Sequence, residues 1–100
     1  MAIAVDIDQS YIRVQGVVGR QVGDEFILMP PVSHSGVVPD ELITCNDCGK
    51  VIWDRLDGTK TLRQIAQEIC IDYDLKLDEA RESVMLFMRE LLDIGLVRVQ

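Results

Sequence analysis

Residues 45–58, with the sequence CNDCGKVIWDRLDG, mark the point at which the hydrophobic period changes from that of a strand to that of a helix. Asn46 is a favoured N-cap residue, and Asp47 places a negative charge in the first helical turn. Apolar residues then recur every four positions on one face, namely Cys48, Ile52 and Leu56. The Asp-Gly pair that closes the stretch ends this pattern. The stretch therefore predicts a helix that begins directly after Asn46.

The residues before this stretch are typical of β-strands. Residues 17–22 and 25–29 are separated by a Gly-Asp pair suited to a tight turn, and they predict a hairpin. Pro30 and Pro31 end the second strand, because proline has no N–H group for the ladder. After a loop rich in proline, serine and glycine, residues 41–44 predict a third short strand.

Two more helices are predicted after this first one. Thr61 and Gln64 have the spacing of a capping box, and they precede an apolar stripe of helical period. A long last helix is expected to have Asp78 as its N-cap and Gly95 as its C′ glycine. Residues 96–99 then alternate like a short closing strand. This order predicts an α+β fold like a winged helix-turn-helix, with short N-terminal antiparallel strands followed by three α-helices.

The composition predicts one folded domain. The chain has 100 residues, 48% of them hydrophobic and 27% charged, with a net charge of −7. Such a charge repels a phosphate backbone, so a nucleic-acid partner is disfavoured. The sequence has no apolar run near the roughly 20 residues of a spanning helix, and its start lacks the basic residues of a secretory signal. We therefore expect a cytoplasmic protein with neither nucleic-acid nor membrane partners.

Cys45 and Cys48 have the C-x-x-C spacing of zinc and thiol-redox sites. A closed zinc site needs four ligands, and the remaining cysteine and histidine, Cys70 and His34, fall in distant segments. The favoured interpretation makes Cys45 and Cys48 two small buried residues on either side of the Asn46 cap. We accordingly expect reduced thiols, no bound metal and no cofactor.

Catalytic patterns are weak throughout the chain. His34 lies in a Ser-His-Ser loop, which alone does not place a base beside a nucleophile. The glycines of residues 16–23 match neither of the common phosphate-binding motifs. Carboxylate pairs occur at a predicted loop and a predicted helix start, where solvation and capping account for them. The sequence therefore argues against an enzyme.

The last helix has an unusually broad apolar face. One stripe contains Val84, Phe87, Leu91 and Ile94, and a second beside it contains Met85, Met88 and Leu92. Arg81 and Arg89 lie four residues to either side of Met85 and give this methionine-rich surface a cationic border. Such surfaces are adaptable and suit peptide binding. Packing against the sheet, or against a second copy in a homodimer, explains the same pattern equally well.

Together these segments resemble the pyrroloquinoline quinone biosynthesis protein D family, the PqqD-like recognition elements for ribosomally made, modified peptides. The resemblance covers residues 17–99, and its most specific part is the segment from Trp53 to Gly58. The matching segments are VVGRQVGDEFIL at 17–28, VIWDRLDG at 51–58, TLRQIA at 61–66 and LLDIGLV at 91–97. It implies a PqqD-like domain over residues 17–100, and the weak alternation of residues 1–16 before it predicts an arm or a short strand.

The resemblance also implies a function and a site. Family members are non-catalytic peptide chaperones that hold the leader of a precursor peptide and present it to a modifying enzyme, often a radical SAM protein. The leader is added as a strand against the third strand, in a cleft bordered by the third helix. Carried over to this sequence, backbone pairing falls on Glu41, Leu42, Ile43 and Thr44, and side-chain contacts fall on Arg81, Met85, Met88 and Leu92.

Two other functions remain open at this point. A winged-helix DNA-binding regulator has a similar order of helices, and the middle helix carries Lys60 and Arg63 beside the acidic Glu68. A small zinc or thiol module would use Cys45 and Cys48. The pathway, its product and the oligomeric state are not indicated by any residue pattern.

Overall fold

A computed structural model describes residues 4–30 and 43–100. The described residues form six strands and three helices, which confirms the predicted α+β class. In chain order these are β1 (Ser10–Arg13), β2 (Val18–Val22), β3 (Glu25–Met29), β4 (Ile43–Cys45), α1 (Asp47–Asp54), β5 (Asp57–Thr61), α2 (Leu62–Asp72), α3 (Leu77–Asp93) and β6 (Val97–Val99).

The first sheet has β1 as its central strand. Its order is β5-β1-β6 and both pairings are antiparallel, with Tyr11 opposite Val99 and Ser10 opposite Thr61. Tyr11 is 3% exposed. The segment predicted to be an arm or a short strand therefore contains a strand that belongs to the core.

The second sheet has the order β2-β3-β4, again antiparallel. The predicted hairpin is confirmed, because Val22 pairs with Glu25 across the two-residue turn. Strand β4 pairs with β3, placing Cys45 opposite Phe26, and in the described part of the chain its other side has no strand partner. Of the predicted third strand, Ile43 and Thr44 lie in β4, whereas Glu41 and Leu42 lie outside the described residues.

Helices α1 and α2 begin where the sequence predicts. The side chain of Asn46 caps α1, and Thr61 and Gln64 form the complete capping box of α2. Between them lies β5, which the sequence did not predict. Its residues DGTKT have no alternation of apolar and polar residues, and the strand is held by its pairing with β1.

Helix α3 differs from the prediction at its start. Its N-cap is Lys76, without a side-chain hydrogen bond, and Asp78 lies in the first turn, where its charge still interacts favourably with the helix dipole. The predicted end is confirmed. Gly95 has φ +75°, its N–H donates to Leu92 O at 3.2 Å, and the next N–H, that of Leu96, donates to Leu91 O at 2.9 Å.

The core lies between the three helices and both sheets. Its fully buried members include Leu28 from β3, Ile52 and Leu56 around α1, and residues of α2 and α3. Helices α2 and α3 pack against each other, while α1 contacts β3, β4 and α3. In residues 4–30 and 43–100, none of the helices has both the length and the apolar character to cross a bilayer.

Candidate functional site

A cleft lies where β4, the start of α1 and the middle of α3 meet. Its volume is about 260 Å³. Strand β4 and the following turn contribute Thr44, Cys45 and Asn46, α1 contributes Cys48, Gly49 and Ile52, and α3 contributes Ser83, Leu86, Phe87 and Glu90. The edge of β4 that has no partner strand among the described residues is thus next to a concave surface bordered by the last helix.

The Asn46 cap and the glycine that follows it shape this cleft. Gly49 N–H donates to Asn46 Oδ1 at 2.8 Å, which fixes the direction in which α1 leaves β4. A Cβ atom at position 49 would lie 3.1 Å from the Cβ of Cys45 and 3.5 Å from Cε1 of Phe87. The absence of a side chain at Gly49 therefore lets α1 approach β4 closely, whereas a Cβ there would be at ordinary contact distance from Phe87 of α3.

Helix α3 presents one face to the cleft. Ser83, Leu86, Phe87 and Glu90 follow the spacing i, i+3, i+4, i+7, which places their side chains together on the helix surface. Leu86 is 51% exposed although it is a large apolar residue. An exposed leucine beside the edge of β4 offers apolar surface to a ligand.

The helix residues selected from the sequence lie elsewhere. Met88 is 0% exposed, so the expectation that it lines a peptide-binding surface needs correction. Met85 and Leu92 are partly buried against the core, and neither lines the cleft. The pKa of Asp8 is lowered first by its hydrogen bond to Arg63 and also by the charge of Arg81, so Arg81 lies towards the N-terminal segment.

Packing of α3 explains why Met88 is buried. Its buried positions are Ala80, Val84, Met88 and Leu91, a stripe that combines members of the two apolar stripes in the sequence. Ser83 and Glu90, which face the cleft, are polar and gave no apolar signal. The sequence did offer one sign of the cleft face. Phe87, a member of the stripe that contains Val84 and Leu91, is followed three residues later by the charged Glu90 on the same side of the helix.

The two cysteines of the C-x-x-C pair lie at the cleft as weakly acidic thiols. Burial, together with the nearby charge of Glu90, raises the pKa of Cys45 to about 11. Burial also raises the pKa of Cys48. Across the described residues there is no cluster of three or more metal-ligating side chains, and His34 lies outside them. Raised pKa values oppose both thiolate chemistry and metal ligation.

The basic residues near α2 are already paired with acidic side chains. Lys60 Nζ lies 2.9 Å from Glu68 Oε1, and Arg63 Nε lies 2.8 Å from Asp8 Oδ1. These pairs neutralise the cations that a DNA-binding helix would offer to phosphates. The pairing of these cations and the net charge of −7 therefore both argue against a nucleic-acid site.

The family of the chain follows from its middle and C-terminal parts. The family model for coenzyme PQQ synthesis protein D (PqqD) matches residues 25–97. The chain belongs to the PqqD family. The matched range runs from β3 into β6, so the PqqD-family region includes β4, α1 and α3, the three elements that build the cleft.

A solved structure has the same fold as this PqqD-family chain. It is described as TbiB1 in complex with the TbiA(beta) leader peptide, and it matches with a TM-score of 0.66 at 22% sequence identity. The match covers 87% of this chain and 94% of that chain. No curated protein sequence matches this PqqD-family chain.

Proposed function

We propose that this PqqD-family protein binds the leader segment of a ribosomally synthesised precursor peptide and presents it to a modifying enzyme. The observation that carries the proposal is the edge of β4, which has no strand partner within residues 4–30 and 43–100, beside the cleft under α3. An extended peptide can continue the β2-β3-β4 sheet at this edge. Family membership and the fold shared with TbiB1, whose structure holds a leader peptide, support the same function.

Strand addition divides the recognition between backbone and side chains. Hydrogen bonds from the β4 edge supply affinity that is independent of sequence, and pockets for alternate side chains supply selectivity. The cleft lies directly beside Thr44 and Cys45, so one face of an added strand would point into it. The peptide contacts predicted for Ile43 and Thr44 remain part of this proposal, and the α3 contacts now fall on Leu86, Phe87 and their neighbours.

The role proposed is that of a chaperone without catalytic residues of its own. Holding the leader close to the enzyme makes the encounter with the core peptide intramolecular, and short flexible linkers give effective concentrations of about millimolar. The partner would be a peptide-modifying enzyme, with a radical SAM protein as the class that the family resemblance favours. No second function is favoured by a contact in the described residues.

A pair of matched variants tests the proposal. The probe is a fluorescein-labelled leader from the precursor encoded beside the gene, and its binding is followed by fluorescence anisotropy. Leu86 and Val22 are both 51% exposed, but Leu86 lines the cleft, whereas Val22 lies at the end of β2. Leu86→Ala should weaken binding about tenfold, as for a residue central to an interface. Val22→Ala should leave the affinity unchanged, and equal affinities for the two variants would contradict the proposal.

A further inference from the structure

Glu90 is the one charged residue among those that line the cleft in the described structure. The four ion pairs between described residues use the carboxylates of Asp8, Glu68 and Asp72 instead. The charge of Glu90 reaches into the cleft, since it contributes to the raised pKa of Cys45. The site therefore holds an exposed anionic group that lacks a cationic partner in residues 4–30 and 43–100.

The cleft also has an apolar side, and it is large enough for one side chain. Leu86 and Phe87 provide its apolar surface, and Gly49, which also lines it, has no side chain to fill it. An engineered protein cavity of about 150 Å³ binds benzene. The cleft measures about 260 Å³, so it has space for an aliphatic or aromatic side chain.

The distance between Phe87 and Glu90 is similar to the distance between alternate residues of an extended peptide. Phe87 and Glu90 are three residues apart on α3, so their Cβ atoms are about 5–6 Å apart. In a strand, residues i and i+2 point to the same face and are separated by about 6.6 Å, twice the rise per residue. For an added strand that runs along α3, an apolar residue beside Phe87 would place its i+2 or i−2 neighbour beside Glu90.

We infer that the cleft selects a peptide segment in which a bulky apolar residue and a lysine or arginine are two positions apart. The apolar side chain packs against Leu86 and Phe87, while the cation pairs with the Glu90 carboxylate. The inference rests on the proposed peptide-binding function and specifies the class of peptide. The net charge of −7 favours the same cationic ligand at longer range.

Selection from a displayed library of random 12-residue peptides tests this inference. The wild-type protein should enrich peptides with Lys or Arg two positions from an aliphatic or aromatic residue. Glu90→Gln should lose this preference, and Glu90→Lys should replace it with Asp or Glu at the same position. Glu82 is an exposed residue of α3 outside the cleft, so Glu82→Lys should select the same peptides as the wild type.

The affinity of one enriched peptide gives a second measurement. Its Lys-to-Glu version should bind the wild type about threefold more weakly, as expected for a partly exposed ion pair, and should bind Glu90→Lys more tightly than the parent peptide does. Amide shifts in 43–45 establish whether each peptide occupies the β4 edge. If the enriched peptides occupy this edge but their charge preference does not change with the residue at position 90, the inference is overturned and the proposed function is not. If no enriched peptide occupies the edge, the proposed function and this inference both fail.

Discussion

The amide side chain of Asn46 accepts a hydrogen bond from the Gly49 N–H at 2.8 Å, and this bond holds the start of α1 against the edge strand β4. The cap lies inside the C-x-x-C pair and at the border of the cleft. The same local contact thus stabilises a helix and sets the shape of the candidate site.

Asn46→Ala should lower the free energy of unfolding by about 1 kcal/mol, because it removes the N-cap acceptor. In a domain of this size that loss corresponds to a decrease in Tm of about 4–8 °C. Thermal and urea unfolding followed by circular dichroism measure the effect. Asn46→Ser retains a capping oxygen and should stay near the wild type. An alanine variant as stable as the serine variant would show that the cap contributes little.

Met88→Ala should destabilise the protein by about 2–5 kcal/mol, because it opens a cavity at a fully buried position. Met88→Leu keeps most of the volume and should cost less than about 1.5 kcal/mol. Urea unfolding distinguishes the two. A stable Met88→Ala variant with weakened peptide binding would contradict the burial of this residue and restore the helix face predicted from the sequence.

Cys45 should react slowly with iodoacetamide at pH 8. Raising its pKa from 9.0 to about 11 lowers the thiolate fraction about a hundredfold, and its 4% exposure restricts access further. Peptide mass spectrometry after timed alkylation compares the native protein with the urea-unfolded chain, in which Cys45 should react at the rate of an ordinary thiol. Equal rates in the two states would favour the thiol-module alternative.

The same pKa shift predicts the direction of a pH effect on stability. Because folding raises the pKa of Cys45, the folded state favours the protonated thiol. This contribution to stability is complete below pH 9 and is lost as the pH rises through 9 towards 11. Cys45→Ala should reduce the loss of stability over this interval in urea titrations. An unchanged pH dependence in the variant would contradict the assignment.

Removal of residues 1–16 should prevent the remaining chain from folding. The deletion removes β1, the central strand of the β5-β1-β6 sheet, together with the buried Tyr11. The N–H of Gln100 also loses its acceptor, Ser10 O, at 3.0 Å. Amide proton dispersion in a two-dimensional NMR spectrum measures the outcome. A folded fragment of residues 17–100 would support the domain boundary predicted from the sequence.

Local signals in the sequence predicted much of the fold. The Asn46 cap, the capping box of Thr61 and Gln64, and the Gly95 terminus each depend on residues within a few positions of one another. Such contacts are visible in a sequence because residue type and spacing determine them. The hairpin was predictable for the same reason, since its turn lies between its two strands.

Features that depend on distant partners were less visible. Strand β5 is polar and exists through its pairing with β1, more than 40 residues earlier in the chain. The cleft face of α3 is likewise determined by which side packs on α2, and an apolar stripe such as Val84 to Leu91 does not reveal that choice. The family resemblance predicts a peptide site next to β4, whereas the side chains that line the cleft there could be identified only from the packing of the helices.

The most direct test of leader binding at the β4 edge is an amide NMR titration of the labelled protein with the leader of the precursor encoded beside its gene. Saturable shifts in 43–45 and 83–90, with β2 amides 18–22 unchanged, are the expected result. The unchanged β2 strand serves as an internal control, because it is the other edge of the same sheet. An absence of shifts, or shifts concentrated on β2, would contradict peptide binding at β4.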